Sequence, residues 1–183
     1  MKNIALLILM LVCFSGCKST KTVAGTERTE NTTPAAVDFS EQSTWLLGYF
    51  SYNLLTREPH SQWYIKGYDE YKPDEESIKK LHEIIKDDLT ITLVMGTWCP
   101  DSRREVPRFM KVLDSWRFPL ERVKFIGVDI EKASPVGEYE QLDILRVPTF
   151  IFYKNNIEAG RIIENPMTSL EQDIIMILES VNK

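Results

Sequence analysis

Seven consecutive residues, Leu89-Thr90-Ile91-Thr92-Leu93-Val94-Met95, are apolar or β-branched and carry no charge. At this length they read as a strand buried inside a sheet. Beyond it Val106, Phe109, Met110 and Leu113 recur at i, i+3, i+4 and i+7, the period of an amphipathic helix with one face on a core. The join is Gly96-Thr97-Trp98-Cys99-Pro100-Asp101-Ser102, so Cys99 stands where a strand hands over to a helix. A thiol at a helix N-terminus faces unpaired backbone N–H groups and the positive end of the helix dipole, both of which favour the reactive thiolate.

The same periodicities order the rest of the chain. Pro73-Asp74 opens a helix with Ile78, Leu81, Ile84 and Ile85 on one face. Val123, Phe125, Ile126, Val128 and Ile130 form a second buried strand, and Glu138 to Leu145 reads as a short helix. Thr149 to Tyr153 and Ile157 to Ile163 flank Lys154-Asn155-Asn156, which predicts an antiparallel hairpin. Met167 to Val181 closes the order as a helix with Leu170, Ile174, Ile177, Leu178 and Val181 facing inward.

Upstream, Ser40 or Ser43 can cap a helix whose apolar positions are Leu46, Leu47, Phe50, Leu54 and Leu55. Tyr64, Tyr68 and Tyr71, at i, i+4 and i+7 behind Pro59, predict another. With Trp63 they read as a core-facing stripe, a peptide-binding surface being the alternative. The expected architecture is therefore a helical N-terminal extension over 38–73, followed by an α/β domain over 74–183 of ordinary size.

Lys2 and the apolar Ile4 to Phe14 make a secretory signal over 1–16, too short to span a bilayer. Phe14-Ser15-Gly16-Cys17 resembles the lipobox of bacterial lipoproteins, which implies a lipidated Cys17 as the first mature residue. A plain cleaved signal is the alternative. Residues 17–37, rich in Thr, Glu, Lys and Asn, read as a flexible tether. Of three cysteines, Cys13 leaves with the signal and Cys17 is blocked, so Cys99 is the single free thiol and no internal disulfide forms. A net charge of −5 without clustered Lys or Arg argues against a nucleic-acid partner. With His60 and His82 as the only histidines, no metal-site spacing exists, and no cofactor is expected.

Trp98-Cys99 followed by Glu105 and Pro107, opening a helix after a buried strand, resembles the active site of thioredoxin-fold proteins. Glu105 and Pro107 are similar to the extracytoplasmic TlpA/ResA-like branch. Arg146-Val147-Pro148-Thr149-Phe150 resembles the cis-proline loop that faces the redox cysteine in that fold. The resemblance covers about 74–183 and implies a thioredoxin-like three-layer sandwich around a central mixed sheet. Two positions depart from the pattern: Ser102 stands where the resolving cysteine would be, and Leu93 where cytosolic thioredoxins carry a buried Asp.

The resemblance assigns Cys99 as the nucleophile and Pro148 as its facing residue, with Trp98, Pro100, Val147 and Thr149 lining a client groove. Ser102 has two readings: N-cap of a Ser-x-x-Glu capping box with Glu105, or hydrogen-bond donor to the Cys99 thiolate. Glu105 is either a proton shuttle to the sulfur, as the resemblance implies, or a solvated first-turn acid. Asp101 opposes thiolate formation by like charge, and Arg103 and Arg104 offset it. The expected function is monothiol exchange with extracytoplasmic client proteins through Cys99, released by an external thiol reductant, on a membrane-anchored chain. A thioredoxin-fold binding module without redox activity is the competing class.

Overall fold

Leu89–Met95 (β2) lies at the centre of a five-stranded sheet, and all of its residues except Thr90 are buried. The computed structural model describes residues 36–181. The expected signal, the lipidated Cys17 and nearly all of the tether lie outside them. The other strands are Gly48–Tyr49 (β1), Val123–Gly127 (β3), Thr149–Lys154 (β4) and Ile157–Ile163 (β5), in the spatial order β1-β3-β2-β4-β5. β2 and β3 run parallel, and the other neighbours are antiparallel. β4 and β5 turn through Asn155 and Asn156, whose φ values of 52° and 63° make the left-handed two-residue turn that Asn-Asn predicts.

Alternation along the strands sends side chains to two unlike layers. Ile91, Leu93, Phe125, Phe150 and Phe152 face the main core. Against it pack α1 (Ser61–Glu70), α2 (Glu75–Glu83), α3 (Pro100–Trp116) and α4 (Leu170–Ser180). Phe109 of α3 stacks on Phe150 at 4.2 Å between ring centroids, and Trp116 is fully buried. Asp74 caps α2 by accepting the Ser77 N–H, and Ser169 caps α4 by accepting that of Gln172. On the opposite face Val94, Ile126 and Val128 are covered by Val136, Tyr139 and Val147. These belong to segment 128–148, whose regular structure is a single 3-10 turn at Tyr139–Leu142 where a short helix was expected. The sandwich thus has a helical layer, a mixed sheet and an irregular third layer.

The helix expected through Leu46 to Leu55 does not form. The stretch holds 3-10 turns at Gln42–Thr44 and Tyr52–Leu54, with β1 between them. Gly48 takes φ 75° and β1 pairs with Gly127 and Ile126, supplying the partner that the edge of β3 would otherwise lack. Leu46 crosses Gly127 so closely that a Cβ there would collide with the Leu46 carbonyl. Tertiary pairing overrides helix propensity here. The segment before Pro73 is accordingly woven into the sheet and the helical layer, with α1 as its one α-helix. Pro59 precedes α1 rather than opening it, β3 stops at Gly127, α4 starts at Leu170 rather than Met167, and Ile85, Ile130 and Val181 are exposed rather than inward.

Candidate functional site

α3 begins immediately after Cys99 because the sequence supplies each part of a helix start. Pro100 occupies the first turn, where its missing N–H costs nothing. Cys99 is the extended N-cap residue (φ −77°, ψ 124°). Its N–H donates to Gly96 O at 3.0 Å and its carbonyl accepts the Arg103 N–H at 3.1 Å. Gly96 is required because the Trp98 ring folds back over it: a Cβ would lie 2.5 Å from the indole. The indole N–H is anchored on Val128 O at 2.9 Å.

The structure brings Cys99 and the Pro148 loop together. The Cys99 thiol donates to Val147 O at 3.3 Å, and the Val147–Pro148 peptide is cis. Cys99 is 7% exposed, so the sulfur is largely covered but not sealed. Trp98 is half-buried beside it and Pro100 is exposed at the rim. Thr149 is turned away: its hydroxyl donates to Arg146 O at 2.6 Å inside the fold, so it does not line a groove with its polar group.

Two sequence expectations are corrected by the position of the helix start. Ser102 is neither the N-cap nor a donor to Cys99. It is fully buried at the third helical position, and its Oγ accepts the Gly96 N–H at 3.3 Å, tying the helix back to the end of β2. Glu105 is neither solvated nor free to carry a proton to the sulfur. It is 3% exposed, and its Oε1 accepts from Arg104 Nε at 2.6 Å and Arg108 Nη1 at 3.1 Å. Six residues past Cys99, it projects from a different side of the helix. Asp101 pairs with Arg104 at 2.7 Å, so Arg104 offsets its charge, whereas Arg103, expected to share in this, turns to backbone carbonyls instead. Arg104 is held above its usual pKa chiefly by the Glu105 hydrogen bond, with Asp101 adding to it.

Arg103 behaves differently from Arg104. Its Nη1 donates to Thr97 O at 2.9 Å and Trp98 O at 2.7 Å, and its guanidinium lies 4.9 Å from the Phe39 ring centroid. Burial lowers its pKa, while the negative charge of an ionised Cys99 raises it.

Sequence reasoning missed the segment that holds these groups. Thr97 is 1% exposed; its hydroxyl accepts the Leu46 N–H at 3.2 Å and donates to Thr44 O at 3.1 Å. Phe39 and Thr44–Leu46 therefore buttress the turn before Cys99. Neither residue type nor period signalled this contact, because the segment's one regular element there, the 3-10 turn Gln42–Thr44, is too short to carry a period.

Tyr139 packs in the same cluster as Cys99 with its hydroxyl buried and unpartnered. Burial, with Asp129 and Glu140 nearby, pushes its pKa up to about 12. His82 is exposed, whereas His60 is buried against Phe39 and Trp63. Among the described residues no three His, Cys, Asp or Glu converge to hold a metal ion, and no helix is long and apolar enough to cross a membrane.

No family model matches the chain. It is similar to thioredoxin H5 of Oryza sativa subsp. japonica, 27% identical over 93 residues that make up 50% of this chain and 64% of that protein. The chain thus spans less than two-thirds of that relative. A solved protein of unknown function from Pseudomonas aeruginosa is 12% identical, with a TM-score of 0.43 over 67% of this chain and 81% of its own. Mitochondrial thioredoxin 3 of Saccharomyces cerevisiae, in its oxidized form, is 18% identical with a TM-score of 0.36 over 62% of this chain and 97% of its own. Strand order, the cysteine at the start of α3 and the rice relative agree on a thioredoxin-like fold.

Proposed function

We propose that this chain is a monothiol exchange protein acting through Cys99 on disulfides of extracytoplasmic clients. The observation that carries this reading is the seat of Cys99, at the N-terminus of α3 and within 3.3 Å of the Val147 carbonyl on the Pro148 loop. Cys99 is the free cysteine among the described residues. In the proposed cycle the Cys99 thiolate attacks one sulfur of a client disulfide. A Cys99–client mixed disulfide forms, and the other client sulfur leaves as a thiolate that takes up a proton. With Ser102 where a resolving thiol would be, an external thiolate must attack the mixed disulfide, regenerating Cys99 and carrying away the client sulfur. Such a cycle suits isomerisation and removal of small-thiol adducts more than net reduction.

The signal at Lys2 to Phe14 and the Ser15-Gly16-Cys17 pattern support a lipid-anchored, extracytoplasmic location for this chemistry. Glu105 and Pro107 support the TlpA/ResA-like branch in sequence pattern. The competing reading is a binding module without redox activity, favoured by the 7% exposure of Cys99 and by Ser102, Leu93 and Asp101 at positions that depart from or oppose a redox cycle.

Incubating the full chain with glutathione disulfide and following intact mass separates the two readings. Exchange predicts a Cys99-linked adduct formed under native conditions, reversed by added thiol and absent in Cys99→Ser. An adduct that forms only after denaturation leaves the binding module.

A further inference from the structure

In the first turns of α3 the charged side chains Asp101, Arg104 and Glu105 pair with one another, and Ser102 bonds Gly96. Arg103 differs in having no carboxylate partner among the described residues. One of its nitrogens, Nη1, is fixed on the carbonyls of Thr97 and Trp98, and one face of its guanidinium lies on the Phe39 ring. Nε and Nη2 have no protein partner among the described residues, and no carboxylate there pairs with Arg103. Arg104, Arg108, Arg146 and Arg161 each pair with a Glu or Asp, whereas Arg57, Arg117 and Arg122 do not. What sets Arg103 apart from these three is its place one helical turn from Cys99, with its guanidinium on the Trp98 carbonyl.

A planar cation held at one edge and one face, with its remaining donors unpaired, has the form of a carboxylate-binding group. Its backbone N–H binds the Cys99 carbonyl, and its guanidinium grips the carbonyl of the residue just before Cys99. An anion bound there would lie next to the reacting sulfur. Phe39 reaches this point because the segment before β1 is fastened to Thr97 on both sides, through Thr44 and Leu46.

We propose that Arg103, seated by Phe39 and by the Thr97 and Trp98 carbonyls, is an anion-reading residue beside Cys99. It selects thiol or disulfide partners that carry a carboxylate near the reacting sulfur. This rests on Cys99 being a reactive thiol. Phe39 and Thr97 are positioning residues, acting through Arg103.

The test compares alkylation of the full chain at Cys99 by iodoacetate and by iodoacetamide, two reagents of similar size that differ in a carboxylate. The two rates are taken at one pH and low ionic strength, and their ratio cancels changes in thiolate fraction and access. Arg103→Gln is expected to lower the iodoacetate-to-iodoacetamide ratio by about three- to tenfold, the range expected for one fixed cation beside a partly desolvated site. Arg103→Lys is expected to restore most of it, and Phe39→Leu to lower it by less than Arg103→Gln. A ratio unmoved by Arg103→Gln, with Cys99 still reactive, overturns the anion preference and leaves the exchange reading standing. A Cys99 that reacts with neither reagent until the chain is denatured overturns both. If Arg103→Gln does not fold, the natural chain decides. Raising salt from about 0.02 to 0.5 M lowers the ratio if a cation sets it, and a salt-independent ratio overturns the proposal.

Discussion

On one face of the sheet four helices bury Ile91, Leu93, Phe109, Trp116, Phe150 and Phe152; on the other, segment 128–148 covers Val94, Ile126 and Val128 with one 3-10 turn. The helical face is a layer of regular elements in close ring and side-chain contact. The cluster on the irregular face holds Cys99 together with Trp98, Val147 and Tyr139. Stability and chemistry are thus drawn from different faces of the same strands. A loop layer can bring a carbonyl and a proline against the sulfur, whereas a helix facing the sheet would satisfy its own backbone groups.

The largest expected effect comes from equal truncations on the two faces. Ile91 and Ile126 are each 2% exposed and lie on paired strands, but point to opposite layers. Ile91→Ala leaves a hole among helices that cannot close independently and should cost about 4 kcal/mol. Ile126→Ala removes the same atoms beneath a segment free to settle, and should cost nearer 2 kcal/mol, the lower end of the range for such changes. Urea unfolding with a shared m-value gives both numbers. Equal costs would mean that the irregular layer is packed as rigidly as the helical one.

This asymmetry also explains what could be read from the sequence. β2, α3, the β4–β5 hairpin and α4 follow apolar periodicity and turn chemistry, which are local, and they formed as expected within a few residues. The segment before α1 failed because Leu46, Phe50 and Leu55 fit a helical period while Gly48 and the exposed edge of β3 imposed strand pairing. At the site, Cys99 was legible from residue type and from its place between a strand and a helix, and the Pro148 loop from its resemblance to the cis-proline loop of thioredoxin-fold proteins. Ser102 and Glu105 were not, since their roles depend on which residue caps α3. A shift of the cap from Ser102 to Cys99 turns Ser102 inward and leaves Glu105 between two arginines. Phe39 and Thr97 gave no signal at all, their contacts being non-local and non-periodic.

A second, smaller effect separates structural from chemical polar groups. Glu105 belongs to the helical side, and its partners Arg104 and Arg108 remain 42% and 39% exposed. Glu105→Gln therefore leaves no sealed cation behind, and the loss of charge-assisted hydrogen bonds should cost about 1–2 kcal/mol. Iodoacetamide alkylation of Cys99 should stay within about twofold of the natural chain, because in this arrangement Glu105 does not serve the sulfur. A Glu105→Gln chain of unchanged stability but much slower alkylation would instead restore the proton-shuttle role and blur the division between the faces.

The smallest effect is a pH dependence at His60, on the helical side beside Trp63. His60 is 4% exposed, its Nδ1 is buried without a partner, and the Phe39 and Trp63 rings lie 5.9 and 6.0 Å away. Burial lowers its pKa from the ordinary 6.5. Between the lowered value and 6.5 the unfolded chain binds the proton and the folded chain does not, so acid favours unfolding in that window. Above pH 6.5 both states hold neutral imidazole and the contribution is constant. Thermal midpoints should accordingly fall between pH 7 and pH 5, and His60→Phe, which keeps a ring and removes the titration, should fall by roughly 1–3 °C less. Carboxylates titrating in the same range cancel in the difference between the two chains. Parallel curves would show that His60 takes up its proton without loss in the folded state, leaving the aromatic contact with Phe39, and hence the seat of Arg103, insensitive to acid.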